Sequence, residues 1–171
     1  MMPKKIGVFV DVSNLYYCLR KKYSGKKLNY KKYWDYIASL GEISIANAYG
    51  AQINNQAEGF LRRLKQIGFT PKYQTPKSFI GDGKITKKAD HDVRITVDIL
   101  EDSHDLDIIV IGSADSDFVP VVKKLKEQNK RVIIFACKIS SDFENLGELC
   151  VEIPESFLED KKNVAPDSKA G

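Results

Sequence analysis

The chain has 171 residues, 43% hydrophobic and 29% charged, enough for one domain with a buried core. Its net charge of +4 permits contact with phosphate without demanding it. The three cysteines are too few and too widely spaced for a disulfide framework or a zinc site, and no apolar run nears the roughly 20 residues of a membrane span, so a soluble, cytoplasmic protein is expected.

Aliphatic runs alternate with amphipathic ones, the pattern of a single α/β domain. Residues 5–12, KIGVFVDV, read as a buried strand with Asp11 near its end. Ser13 and Asn14 are expected to form the turn into a helix, LYYCLRKKY. Residues 24–27 read as a loop and 31–40 as an amphipathic helix, with Tyr33, Trp34, Ile37 and Leu40 mainly inward. A strand is expected at 43–51 and a helix at 56–67, stopped by Gly68. Residues 69–74 read as a strand that Pro71 confines to a sheet edge.

Residues 75–88, TPKSFIGDGKITKK, combine a proline, two glycines and four lysines with no clean period, and are expected to be a flexible basic connection. A helix is expected at 90–101, with Val93, Val97 and Leu100 as its apolar stripe and Ile99 close by. Asp92 and Asp98 lie six residues apart on it, about 120° around the axis, so they do not share a face. Strands follow at 107–111 and 132–137, with a helix at 117–129 between them. A short helix at 143–149 and a short strand at 151–153 close a domain spanning 1–154. Residues 155–171 read as a charged, flexible tail.

The stretch 107–120, DIIVIGSADSDFVP, organises the rest. A strand runs into a small-residue turn carrying Asp115 and Asp117, and a helix begins. Asp11 ends another strand in the same way. In a doubly wound parallel sheet both turns lie on one edge, where such sheets place their sites. Each acid could simply cap a helix. If the two strands are neighbours, however, Asp11 meets Asp115 and Asp117 across a crevice, and Asp92 can reach it from its helix start. Two carboxylates at ~5 Å repel by roughly 3 kcal/mol at an effective dielectric near 20. A divalent cation relieves that repulsion, and oxygen-only ligands favour Mg²⁺ or Mn²⁺. Such ions activate water in phosphodiester cleavage. His91 and His104 are expected at the surface, and this chemistry needs neither.

FVDVSN (9–14), HDVRITVD (91–98) and GSADSDFVPVV (112–122) resemble, in order and spacing, the three motifs of the NYN domain, a branch of the PIN-like nuclease superfamily, and its LabA-like group most of all. The resemblance covers residues 6–153. It implies a three-layer Rossmann-like domain with a central, mostly parallel sheet of five or six strands. It implies an acidic Mg²⁺ or Mn²⁺ site and RNA, single-stranded or structured, as substrate. Carried over by position, Asp11, Asp92, Asp115 and Asp117 would be metal ligands or water activators, and Asn14 and Ser113 would position a bound water or a phosphate. Asp98 matches the later acid of the second motif, although its helix phase can turn it toward Arg94. Ala114 stands where the family usually has glycine, and Ala89 where it usually has lysine.

The expected activity is a metal-dependent ribonuclease, in its endonuclease form, with an RNA-binding or regulatory module of little turnover as the alternative. Lys84, Lys87 and Lys88 of the basic connection, and the lysines between 21 and 32, are the expected phosphate contacts. A homodimer that lengthens the RNA groove is compatible with the sequence.

Overall fold

The computed structural model describes residues 2–51, 57–74, 77–81, 84–88, 91–146 and 149–160, with backbone alone at 77–81 and 84–88. In chain order the first elements are β1 (Lys5–Asp11), α1 (Val12–Lys22), β2 (Lys27–Leu28), α2 (Tyr30–Ala38), β3 (Glu42–Ala51), α3 (Glu58–Ile67) and β4 (Thr70–Gln74). The hairpin strands β5 (Lys77–Gly81) and β6 (Lys84–Lys88) follow, then α4 (Asp92–Asp102) and β7 (Ile108–Gly112). The chain continues through α5 (Val119–Glu127), β8 (Arg131–Ala136), α6 (Ser141–Glu144), β9 (Leu149–Glu152) and β10 (Leu158–Glu159).

Six strands form one sheet in the order β4-β3-β1-β7-β8-β9, and every neighbouring pair is parallel. A parallel sheet is covered on both faces, so its central strands read as continuous aliphatic runs. All five residues of β7 are buried, and so are all but the first of β1 and of β8. From β1 the chain steps one way to β3 and β4. It then returns to lay β7 against the other side of β1 and steps away to β8 and β9. Right-handed crossovers in opposite directions put the two sets of helices on opposite faces, giving three layers. The order reverses between β1 and β7.

The core is fastened by aromatic contacts. Tyr33 of α2 stacks on Phe135 of β8 at 4.3 Å and donates its hydroxyl to the Phe135 carbonyl. Trp34 packs edge-on against Phe69 at 5.1 Å, at the rim of the core. Gly68 ends α3 at φ 130°, and a Cβ there would lie 2.6 Å from the Trp34 ring, so both conformation and space require glycine.

Several expectations change. Ser13 and Asn14 form no separate turn; they lie in the first turn of α1, which Asp11 caps. The expected flexible connection holds an antiparallel hairpin, β5 with β6. The side chains of Lys84, Lys87 and Lys88 lie outside the described residues. On α4 the apolar stripe is misplaced by the sequence reading. Ile95 and Ile99 are buried, whereas Val93 and Val97 are 69% and 45% exposed. Both pairs have i, i+4 spacing, and contact with the sheet selects one of them. The last helix covers Ser141–Glu144 only, because Leu149 pairs with Ile133 and opens β9.

The first residues of the expected tail are structured. Beyond Pro154 a 3-10 turn (Glu155–Phe157) leads into β10, which pairs antiparallel with β2. Phe157 packs against Tyr36 and Phe135. Residues 161–171 lie outside the described residues. Cys137 is buried and Cys150 only half-buried. No helix among the described residues is long and apolar enough to cross a membrane.

Candidate active site

At the carboxyl end of β1, Asp11 is 6% exposed and its carboxylate accepts the Asn14 backbone N–H at 3.0 Å, capping α1. Burial raises its pKa above the usual carboxyl value. The Asn14 hydrogen bond pulls the other way, and the negative charge of Asp115 adds to the rise. Asp11 is thus desolvated and electrically close to the turn beyond β7.

That turn is built by its own polar side chains. Ser113 is 1% exposed, and its hydroxyl accepts the Asp115 N–H at 3.2 Å. Asp115 in turn accepts the Asp117 N–H at 3.0 Å and starts a 3-10 turn, Ser116–Phe118, ahead of α5. Ala114 sits between them without a left-handed backbone, so alanine serves where the family usually has glycine. The expected helix at 117–129 is split accordingly into a 3-10 turn and α5.

Helix α4 starts with Asp92 at the same edge. Carboxylate oxygens of Asp92, Asp115 and Asp117 all lie within 4.8 Å of one another. Asp11 stands beside this trio rather than within it. Capping and ligation are compatible, because a carboxylate has about four lone-pair sites and each cap bond uses one. Neither Asp115 nor Asp117 has a cation partner among the described residues. The donor set is hard, anionic and oxygen-only, which suits a divalent ion of the Mg²⁺ or Mn²⁺ kind.

Asp98 is not brought to the trio. Its carboxylate accepts the Tyr49 hydroxyl at 2.7 Å and pairs with Lys72 at 2.8 Å. Desolvation alone would raise its pKa, but the Lys72 ammonium and the Tyr49 hydroxyl outweigh it and hold the group below the usual carboxyl value. Asn47 donates to the Tyr49 oxygen at 3.2 Å. Tyr49 and Lys72 are cross-strand partners on β3 and β4, a register no local pattern announces. The expected Arg94 contributes only more distant charge.

His91, expected at the surface, is 4% exposed, directly before Asp92. The lysines between 21 and 32 are also largely engaged. Lys22 pairs with Glu152 and Lys26 with Glu155, Lys31 pairs with Asp35, and Lys32 donates to the Ser156 carbonyl. The acids of β9 and of the segment after it meet basic residues that were expected to face phosphate.

The NYN domain profile matches residues 5–152. The chain belongs to the NYN domain family. As a family member it shares the PIN-like nuclease type, and the acidic trio falls on two of the three family motifs. It is 23% identical over 174 residues to the low amplitude and bright protein LabA of Synechococcus elongatus, covering 96% of this chain and 92% of that protein. It is 25% identical to an uncharacterized protein of Methanocaldococcus jannaschii, covering 96% of this chain and 62% of the other. A crystal structure of a protein of unknown function from Vibrio parahaemolyticus superposes with a TM-score of 0.82 at 28% identity, over 92% of this chain and 97% of that one. The strand order and the NYN motifs thus bring these acids to one edge of the sheet.

Proposed function

We propose that this NYN protein is a metal-dependent ribonuclease that hydrolyses RNA phosphodiester bonds in the cytoplasm. One observation carries the reading: three carboxylates converge within 4.8 Å where the strand order reverses. Asp92, Asp115 and Asp117 would hold Mg²⁺ or Mn²⁺, with Asp11 beside them. A bound divalent ion would supply Lewis acidity toward the phosphoryl group and lower the pKa of water.

The chain's own residues supply the rest. Ser113 fixes the turn that carries two of the acids, and the α1 cap holds Asp11 in place. The Asn14 side chain, in the first turn of α1, is the further group for orienting a water or a phosphate. Asp98 braces α4 against β3 and β4 rather than joining the site.

The test is cleavage of a labelled single-stranded RNA with Mn²⁺, with Mg²⁺ and with EDTA. Wild type is compared with Asp11→Asn and Asp115→Asn, after circular dichroism establishes that both are folded. Cleavage that requires metal and is lost in both variants is expected. RNA bound but left intact by wild type would favour the second reading, a binding module with little turnover. The engagement of Lys22, Lys26 and Lys32 by the C-terminal segment supports that second reading, because it leaves less free basic surface for a processed strand.

A further inference from the structure

Beside the acidic trio lies a groove that the proposed chemistry does not use. Two short helical stripes face each other across it. Ser116, Val119 and Lys123 come from the 3-10 turn and α5 at i, i+3, i+7 spacing. Asp142, Asn145 and Leu146 come from α6 and the turn after it, at i, i+3, i+4. The cavity measures about 340 Å³, within the range of small-ligand sites, roughly 300–1,000 Å³. Lys126 donates to the Leu146 carbonyl and ties the two sides together.

Its lining is divided by chemistry. Val119 and Leu146 are half-buried and form an apolar floor. The Ser116 hydroxyl, the Lys123 ammonium, the Asp142 carboxylate and the Asn145 amide have no side-chain hydrogen bond or ion pair among the described residues. These four polar groups are solvent-exposed and border two half-buried apolar side chains, a lining that suits a flat ligand with hydrogen-bonding edges. Position narrows the choice, because Ser116 lies between Asp115 and Asp117 and the groove opens onto the turn that carries them.

We propose that this groove is a base-binding subsite for a nucleotide next to the phosphodiester held at the trio, and that it selects bases carrying an exocyclic amine. This rests on the ribonuclease reading for its orientation. The base lies on Val119 and Leu146. Asp142 accepts from the amine, as carboxylates do with cytosine N4. Asn145 can donate to one edge atom and accept from another. Lys123 meets a flanking phosphate. Adenine, cytosine and guanine carry such an amine, and uracil has none, offering two carbonyl oxygens on either side of an N–H.

The experiment uses the full chain in EDTA, where cleavage does not interfere. Fluorescence anisotropy with short labelled oligo(A), oligo(C) and oligo(U) reads the preference. Wild type is expected to bind oligo(A) and oligo(C) about tenfold more tightly than oligo(U). Asp142→Ala and Asn145→Ala, both at exposed positions, should each reduce that ratio to within about twofold. Lys123→Gln should weaken all three oligomers alike and flatten their salt dependence. Equal binding of the three by wild type, no binding of any, or a preference untouched by both alanine variants would overturn the groove. The two readings fail separately. A base preference abolished by Asp142→Ala in a protein that cleaves nothing keeps the groove and removes the nuclease. Metal-dependent cleavage with no base preference does the reverse.

Discussion

Helix α4 carries two aspartates six residues apart, and they lead opposite lives. Asp98 faces the sheet side, where Lys72 and Tyr49 each bond to its carboxylate and a positive charge balances it. Asp92, at the other end, joins Asp115 and Asp117 in a knot of like charge. An acid with its own cation and donors stabilises a fold. Acids gathered against one another destabilise it, and persist where a ligand supplies the missing charge. The same residue type on the same helix is thus ion-paired at one end and gathered with two other carboxylates at the other.

The largest effect that should separate the two regions is on activity. Asp115→Asn is expected to lower metal-dependent RNA cleavage by more than about 100-fold, above the usual range for residues one layer removed from a metal. Asp98→Asn should lower it far less per folded molecule. Equal losses in initial-rate assays would break the distinction.

Stability should show the reverse order. Asp98→Ala leaves Lys72 and the Tyr49 hydroxyl without their shared acceptor, and should cost about 2 kcal/mol in urea unfolding. The Asp98 carboxyl is held below its ordinary value, so its contribution is complete above the ordinary carboxyl range, about 4, and is lost as pH falls through its lower folded value. The gap between wild type and Asp98→Ala should therefore be constant near neutrality and close in acid. A gap that widened in acid would contradict the assignment.

Asp11 has the opposite sign. Its raised pKa means that the fold disfavours its ionised form at neutral pH, and stability is recovered as pH falls below the folded value. Asp11→Asn keeps an oxygen for the Asn14 N–H; in EDTA it should raise the thermal midpoint, and in the presence of metal it should abolish cleavage. The smallest effect concerns the outer stripe of α4. Val93→Ser and Val97→Ser should each change stability by no more than about 0.5 kcal/mol, against about 2–5 kcal/mol for Ile99→Ala.

Much of the candidate site's geometry was legible before the structure. Asp92, Asp115 and Asp117 converge, and Asp11 lies beside them, because each sits where an aliphatic or amphipathic run changes element. Such changes are written locally, as small residues after buried ones. The bracing of Asp98 was not legible. Its partner Lys72 is on an edge strand 26 residues away, and the pairing depends on the register of β3 against β4. The C-terminal segment was misread for a related reason. A charged composition says nothing of Phe157, which finds Tyr36 and Phe135 only in the folded chain.

By itself the sequence determined the element types, a parallel sheet from its uninterrupted aliphatic strands, and the acids at their ends. Those properties follow from backbone periodicity and from the cost of burying unpaired polar groups. Only the tertiary structure decided that β7 lies against β1, which stripe of α4 faces the sheet, and which acids meet. Strand order and helix rotation are chosen by packing between distant segments, and several choices satisfy the same local pattern equally well.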